Sequence, residues 1–150
     1  MAVRDFTPNF FIPELAPGDV RIRDVYTQAM RIIDANLGGG SPAEFSFVGA
    51  VTVGDKPFRW YPPRRSNIKS VATFVGTAPS GDSLIVNVKK NGSTIFTTTA
   101  NRPAILPGTF FALSGAPDTK LIEVTDFLTV EVAQIGSSVA GSDLVAQVRF

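Results

Sequence analysis

From residue 41 onward, apolar and polar positions alternate with a period of two, the spacing of half-buried strands. Segment 44–53 places Phe45, Phe47, Gly49, Val51 and Val53 on one face. Segment 57–61 predicts a short strand stopped by Pro62-Pro63, and 67–76 a further one. Residues 84–90, then Asn91-Gly92, then 93–99 predict a hairpin with a two-residue type I′ turn. That turn sets Val88 opposite Ile95, Val86 opposite Thr97, and Lys89 against Thr94 on the other face. Strands are also predicted at 109–113, 120–124 and 127–134, the last with Leu128, Val130 and Val132 inward. A final strand puts Leu144, Ala146, Val148 and Phe150 on one face, and no further domain is expected after it. Many short antiparallel strands with regular turns predict a mainly β fold, a jelly-roll-like antiparallel β-sandwich over residues 41–150.

Before the break at Gly38-Gly39-Gly40 the pattern changes. Residues 20–36 have helical spacing: Ile22, Val25, Ala29 and Ile32 follow steps of three and four, widened by Tyr26 and Ile33. Asp19 is placed as the N-cap, and the glycines end the helix. This stripe either covers an open side of the sandwich or forms an oligomerisation helix at a symmetry axis. Residues 1–18 carry Pro8, Pro13 and Pro17, which remove backbone donors and favour extended geometry. Phe6, Phe10, Phe11, Ile12 and Leu15 are too apolar for a solvated tail. An extended apolar arm needs a surface, either its own domain or another subunit. The partner-docking reading is preferred because the arm has no neighbouring strand in sequence. The expected organisation is therefore an anchoring arm and short α-helix over 1–40, then the sandwich over 41–150.

Composition narrows the chemistry. Histidine and cysteine are absent from the 150 residues, which excludes disulfides, His- or Cys-based metal sites, cysteine nucleophiles and His acid–base catalysis. A net charge of +1 lacks the concentrated positive field of a nucleic-acid binder. No apolar run reaches the ~20 residues that span a bilayer, so no membrane insertion is expected. The opening residues lack the features of a secretory leader, and the chain is expected to act without secretion. There is no Walker loop, no G-x-S-x-G and no strand-linked G-x-G-x-x-G. The expectation is a protein that is not an enzyme and uses no cofactor or metal. Asp82, Asp126 and Asp143 each precede an apolar strand. Such an Asp can ligate calcium, but without dense oxygen-ligand spacing it more often caps the turn.

The most distinctive polar stretch is 56–65, KPFRWYPPRR. From Lys56 to Lys69 there are five basic residues and no acidic one. Three readings stay open for Arg59, Trp60, Tyr61, Arg64 and Arg65. Trp60 fills the core while the arginines solvate a loop; the stretch is a subunit contact, where Arg and aromatics are favoured; or it stacks on and pairs with a glycan receptor.

Several phrases carry a more specific likeness: VGTAPSGDSLIVNVKKNGSTIFTT (75–98), NRPAILPGT (101–109) and FLTVEVAQIGSSVAGSDLVAQVRF (127–150). This region resembles a β-sandwich module of tailed-bacteriophage virion structural proteins, of tail-fibre, short-fibre or decoration type. The resemblance covers about 44–150 and leaves the arm and helix outside it. It implies a particle component without catalysis, a homotrimer, partnered by other virion proteins of capsid or tail and placed in the virion after assembly in the bacterial cytoplasm. It carries no catalytic residues across. A tail-fibre or receptor-binding role leads, with a capsid decoration or cement protein as the alternative and a carbohydrate-binding module as a third reading.

Overall fold

A computed structural model of the chain describes residues 41–150. The partner-docking arm (Phe6, Phe10, Phe11, Ile12, Leu15) and the helix with Ile22, Val25, Ala29 and Ile32 lie outside the described residues.

The described residues form eleven strands: β1 Ala43–Ala50, β2 Gly54–Asp55, β3 Ser66–Asn67, β4 Ser70–Phe74, β5 Leu84–Lys90, β6 Ser93–Thr94, β7 Ala104–Ile105, β8 Phe111–Leu113, β9 Leu121–Ile122, β10 Leu128–Gln134 and β11 Ser142–Arg149. One sheet has the order β1-β11-β4-β8; the other has β2-β10-β5-β6, with β7 also on β5. All strand pairs are antiparallel. Setting aside the small β3-β9 pair, the chain crosses repeatedly between the two sheets, and its first strand ends beside its last. This is the strand order of a jelly roll.

The core follows from alternation. Along β11, Leu144, Ala146 and Val148 are fully buried, and Phe150 nearly so. They meet Ala43 and Phe45 of β1 and Val71 of β4 within one sheet. Val86 and Val88 of β5 and Leu128, Val130 and Val132 of β10 face them from the other. Each large side chain buried this way contributes about 1.5–3 kcal/mol. Thr73 is the polar member of the inner face, and its hydroxyl donates to the Ala112 carbonyl at 3.4 Å.

The predicted hairpin turn is present. Asn91 and Gly92 have φ of 50° and 85°, both positive as a type I′ turn requires. Lys89 pairs with Thr94, and the Ile95 N–H donates to the Val88 carbonyl at 3.0 Å. The second strand is shorter than the predicted 93–99. The Thr94 hydroxyl accepts the Phe96 N–H, and the Asp118 carboxylate accepts the N–H and hydroxyl of Thr98. These contacts draw the chain off the sheet, so the Val86 N–H donates to Pro103 rather than pairing with Thr97.

Two other predicted strands are displaced. Over 57–61 the pairing reduces to a bridge at Trp60, because Pro57, Pro62 and Pro63 have no N–H to offer. The paired residues are Gly54–Asp55, just before. In β1 the register slips between Phe47 and Ala50. The Asp143 carboxylate takes the Gly49 N–H at 2.9 Å, and the apolar face stops short: Val51 is buried but Val53 is 58% exposed.

Two phrases behind the family resemblance meet at one end of the sandwich. Ser80 N–H donates to Val139 O and Ser138 N–H to Ser80 O, both at 3.0 Å. Gly136 is buried there, and a side-chain carbon would overlap the Val139 carbonyl oxygen. The glycines of QIGSSVAGSDL thus serve loop packing.

Replacing Leu144 by Ala should lower unfolding free energy by about 2–5 kcal/mol in urea titrations, whereas Gln147→Ala on the opposite face should change it by about 0.5 kcal/mol.

Candidate functional site

The basic-aromatic stretch divides by the same alternation. Trp60 turns inward, packs against the core and stacks on Phe150, with ring centres 5.3 Å apart and planes 20° apart. Its backbone exchanges two hydrogen bonds with Leu128, at 3.0 and 2.8 Å. Arg59 and Tyr61, one residue to either side, face the other way. Both reach Phe127: the Arg59 guanidinium lies 4.6 Å from that ring's centre, and the Tyr61 ring centre lies 5.9 Å away. Arg65 pairs with Glu123 at 3.1 Å, with both side chains well exposed, and such a pair stabilises little. Arg64 is exposed, and its carbonyl accepts the Ser66 hydroxyl at 3.4 Å. The structure brings Arg59 and Tyr61 together, sets Trp60 against the core and directs Arg65 to a separate contact.

Arg59 stands on the wall of an open cleft of about 380 Å3, lined also by Asp55, Lys56, Pro57, Lys89, Gly92, Phe127 and Thr129. Its floor is the outer face of the β2-β10-β5-β6 sheet. Across that face Lys89 bridges Asp55 at 2.7 Å and Glu131 at 3.2 Å. Asn87 donates to Glu131 at 2.8 Å and accepts from Thr94 at 2.7 Å. The Asp55 hydrogen bond, working against desolvation and helped by Glu131, raises Lys89 above its ordinary 10.5.

Phe127 is fixed from behind by the hairpin turn. The Asn91 side-chain oxygen accepts the Phe127 N–H at 3.0 Å, and the Asn91 N–H donates to the Phe127 carbonyl at 3.0 Å. Asp126 accepts from the Asn91 amide at 2.6 Å, from Lys90 at 2.9 Å and from the Glu123 backbone N–H at 2.8 Å. These donors, the Glu123 N–H first, then Lys90 and Asn91, pull the Asp126 carboxyl from its ordinary 3.8 down to about 2. Asp143 is lowered likewise, mainly by the Gly49 N–H. Two of the three Asp residues that precede strands thus tie down backbone. Among the described residues no group of three or more His, Cys, Asp or Glu is placed to hold a metal ion, and no helix is long and apolar enough to cross a membrane.

Sequence reasoning missed Phe127, Lys89, Asp55 and Thr129 as cleft residues. No local motif marks them. They converge on the 56–61 stretch only through the pairing of β10 with β2 and β5.

The other sheet presents a different outer surface. Toward β1 it is polar, with Gln147 donating to Glu44 at 3.0 Å. Toward β8 it becomes apolar. Phe74 and Phe111 pair across the strands with ring centres 5.1 Å apart, beside Val145 and Leu113. Phe111 and Leu113 are each about half exposed, as are Leu106 and Phe110 in the turn that leads into β8.

Comparison with protein-family models, curated proteins and solved structures found no match.

Two measurements check this geometry. The folded value of Asp126 lies below its unfolded one, so its stabilising contribution is complete above the ordinary 3.8 and is lost as pH falls through about 2. Melting curves between those limits should show a smaller acid destabilisation for Asp126→Asn than for the parent. Trp60 is the chain's one tryptophan, so its fluorescence reports a single environment. Emission should be blue-shifted and resist quenchers, and Phe150→Ala should move it to longer wavelength.

Proposed function

We propose that the protein is a non-enzymatic structural component of a tailed-bacteriophage particle. It is a tail-fibre or receptor-binding type of β-sandwich, anchored to other virion proteins by its N-terminal arm and assembled as a homotrimer. The phrases at 75–98 and 127–150 motivate the phage setting. The observation that carries the assembly role is the apolar corner at β8.

A sheet face open to water is normally polar, and a large apolar patch there marks a contact surface. Phe111 and Leu113, both half exposed on the outer face of β8, offer on the order of 200 Å2 of apolar surface, and Leu106 and Phe110 in the turn before β8 are equally exposed. The pair on β8 supplies about a quarter of what one partner contributes to a standard interface. Among the described residues β8 also lies at the edge of its sheet, with no strand on one side of its backbone. A second copy packed on this corner would cover both the rings and the edge. The arm residues Phe6, Phe10 and Phe11 would add a further apolar contact to the particle, repeated in every copy.

The purified chain should sediment as a trimer. Phe111→Glu combined with Leu113→Ser should convert it to a folded monomer in analytical ultracentrifugation. Deleting residues 1–18 should leave a folded protein that no longer enters particles. A parent monomer, or normal incorporation of the truncation, counts against the proposal. Copies per particle separate a tail position from a shell position, where the same arm would staple capsid subunits as a decoration protein does.

A further inference from the structure

We propose that the cleft beside Arg59 is a binding site for a carboxylated saccharide, with the Arg59 guanidinium receiving the sugar's carboxylate. This deepens the receptor-binding reading, on which it rests for its biological setting.

The argument starts from unused donors. Among the described residues Arg59 makes no ion pair, and its guanidinium lies over Phe127. A stacked guanidinium keeps its N–H edges free and loses little freedom when they are engaged, which suits a two-pronged contact to a carboxylate. Phe127 is itself held by Asn91 on both its N–H and its carbonyl, so the platform under Arg59 is built in advance. The neighbouring cations are already engaged. Lys89 holds Asp55 and Glu131, while Lys56 donates to the Thr52 carbonyl at 2.7 Å and to its hydroxyl at 2.9 Å. Each ammonium has three donors, so one remains on each.

Size and polarity then choose the ligand class. At about 380 Å3 the cleft falls in the range of small-molecule sites and is far larger than a simple ion needs. Its rim carries Pro57 for the apolar face of a ring, and Thr129 for hydroxyls. Asp55 spends one oxygen on Lys89, and its other can accept from a sugar hydroxyl. The same carboxylate repels a ligand whose whole surface is anionic, which disfavours phosphate and nucleic-acid backbones. A ring bearing one carboxylate among several hydroxyls fits this set of groups.

Calorimetric titration of the full-length chain tests the assignment with a short oligohexuronate, the neutral oligosaccharide of the same length, and inorganic phosphate. The oligohexuronate should bind, and the other two should not. Arg59→Ala should weaken binding about ten- to hundredfold, the range for loss of one charged hydrogen-bonded contact, with an unchanged melting temperature because Arg59 is exposed. Lys56→Ala should weaken it less. Arg149→Ala, on the outer face of the other sheet, should leave it unchanged. No binding of the oligohexuronate, equal binding of the neutral sugar or of phosphate, or undiminished binding by Arg59→Ala would each overturn the assignment. Sedimentation of the same samples reports trimer formation separately, so failure of this site is distinguishable from failure of the assembly reading.

Discussion

The position of β11 between β1 and β4 is the constraint on which the rest of the structure depends. Its inward residues are fully buried because a strand covers each flank and a second sheet faces them. The pairing joins Ala43 to Val148 and Phe45 to Ala146, residues about a hundred positions apart. Among the strand pairs, only β5-β6 is joined by a tight turn. Such a topology must close long loops before burial rewards them, and it folds more slowly than a helical protein of its size. The start of β11 also shapes its neighbour: Asp143 takes the Gly49 N–H where the β1 register slips.

The two outer faces then diverge. One carries the Asp55-Lys89-Glu131-Asn87-Thr94 network, in which each polar group has a partner and the surface is suited to water and polar ligands. The other passes from Glu44 and Gln147 at β1 to Phe74, Phe111 and Leu113 at β8. The proposed recognition face and the proposed assembly face lie on opposite sheets, so both could be occupied at once, since the core separates them.

The fold was legible where period-two burial is strong. Leu128, Val130, Val132, Leu144, Ala146 and Val148 point inward as their spacing predicts, and Asn91-Gly92 makes the predicted turn. The errors share a cause. Thr97, the 57–61 segment and Val53 have the spacing or composition of strand residues, yet side-chain acceptors or prolines take over their backbone pairing. Asp118 is distant in a linear reading, and Asp143 and Thr94 show there only as a turn cap and a hairpin partner, not in their grip on Gly49 and Phe96. The site was half legible. Arg59 and Tyr61 stood out by composition, and alternation separates them from Trp60. Phe127 did not, because only strand pairing carries it to them. Asn91 showed its turn role but not its grip on Phe127, since one residue can satisfy both and the sequence displays only the first.

The loop seam at Ser80, Ser138 and Val139 has an effect on how the molecule ages. These connections are hydrogen-bonded to each other as strands are, and Gly136 leaves no slack between them. The usual soft points of a sandwich, its exposed loop tips, are therefore knitted shut at this end. The Ser80 and Ser138 amide protons, each hydrogen-bonded across the seam, should exchange more slowly than those of unpaired loop residues, and cleavage there would first have to part the two loops.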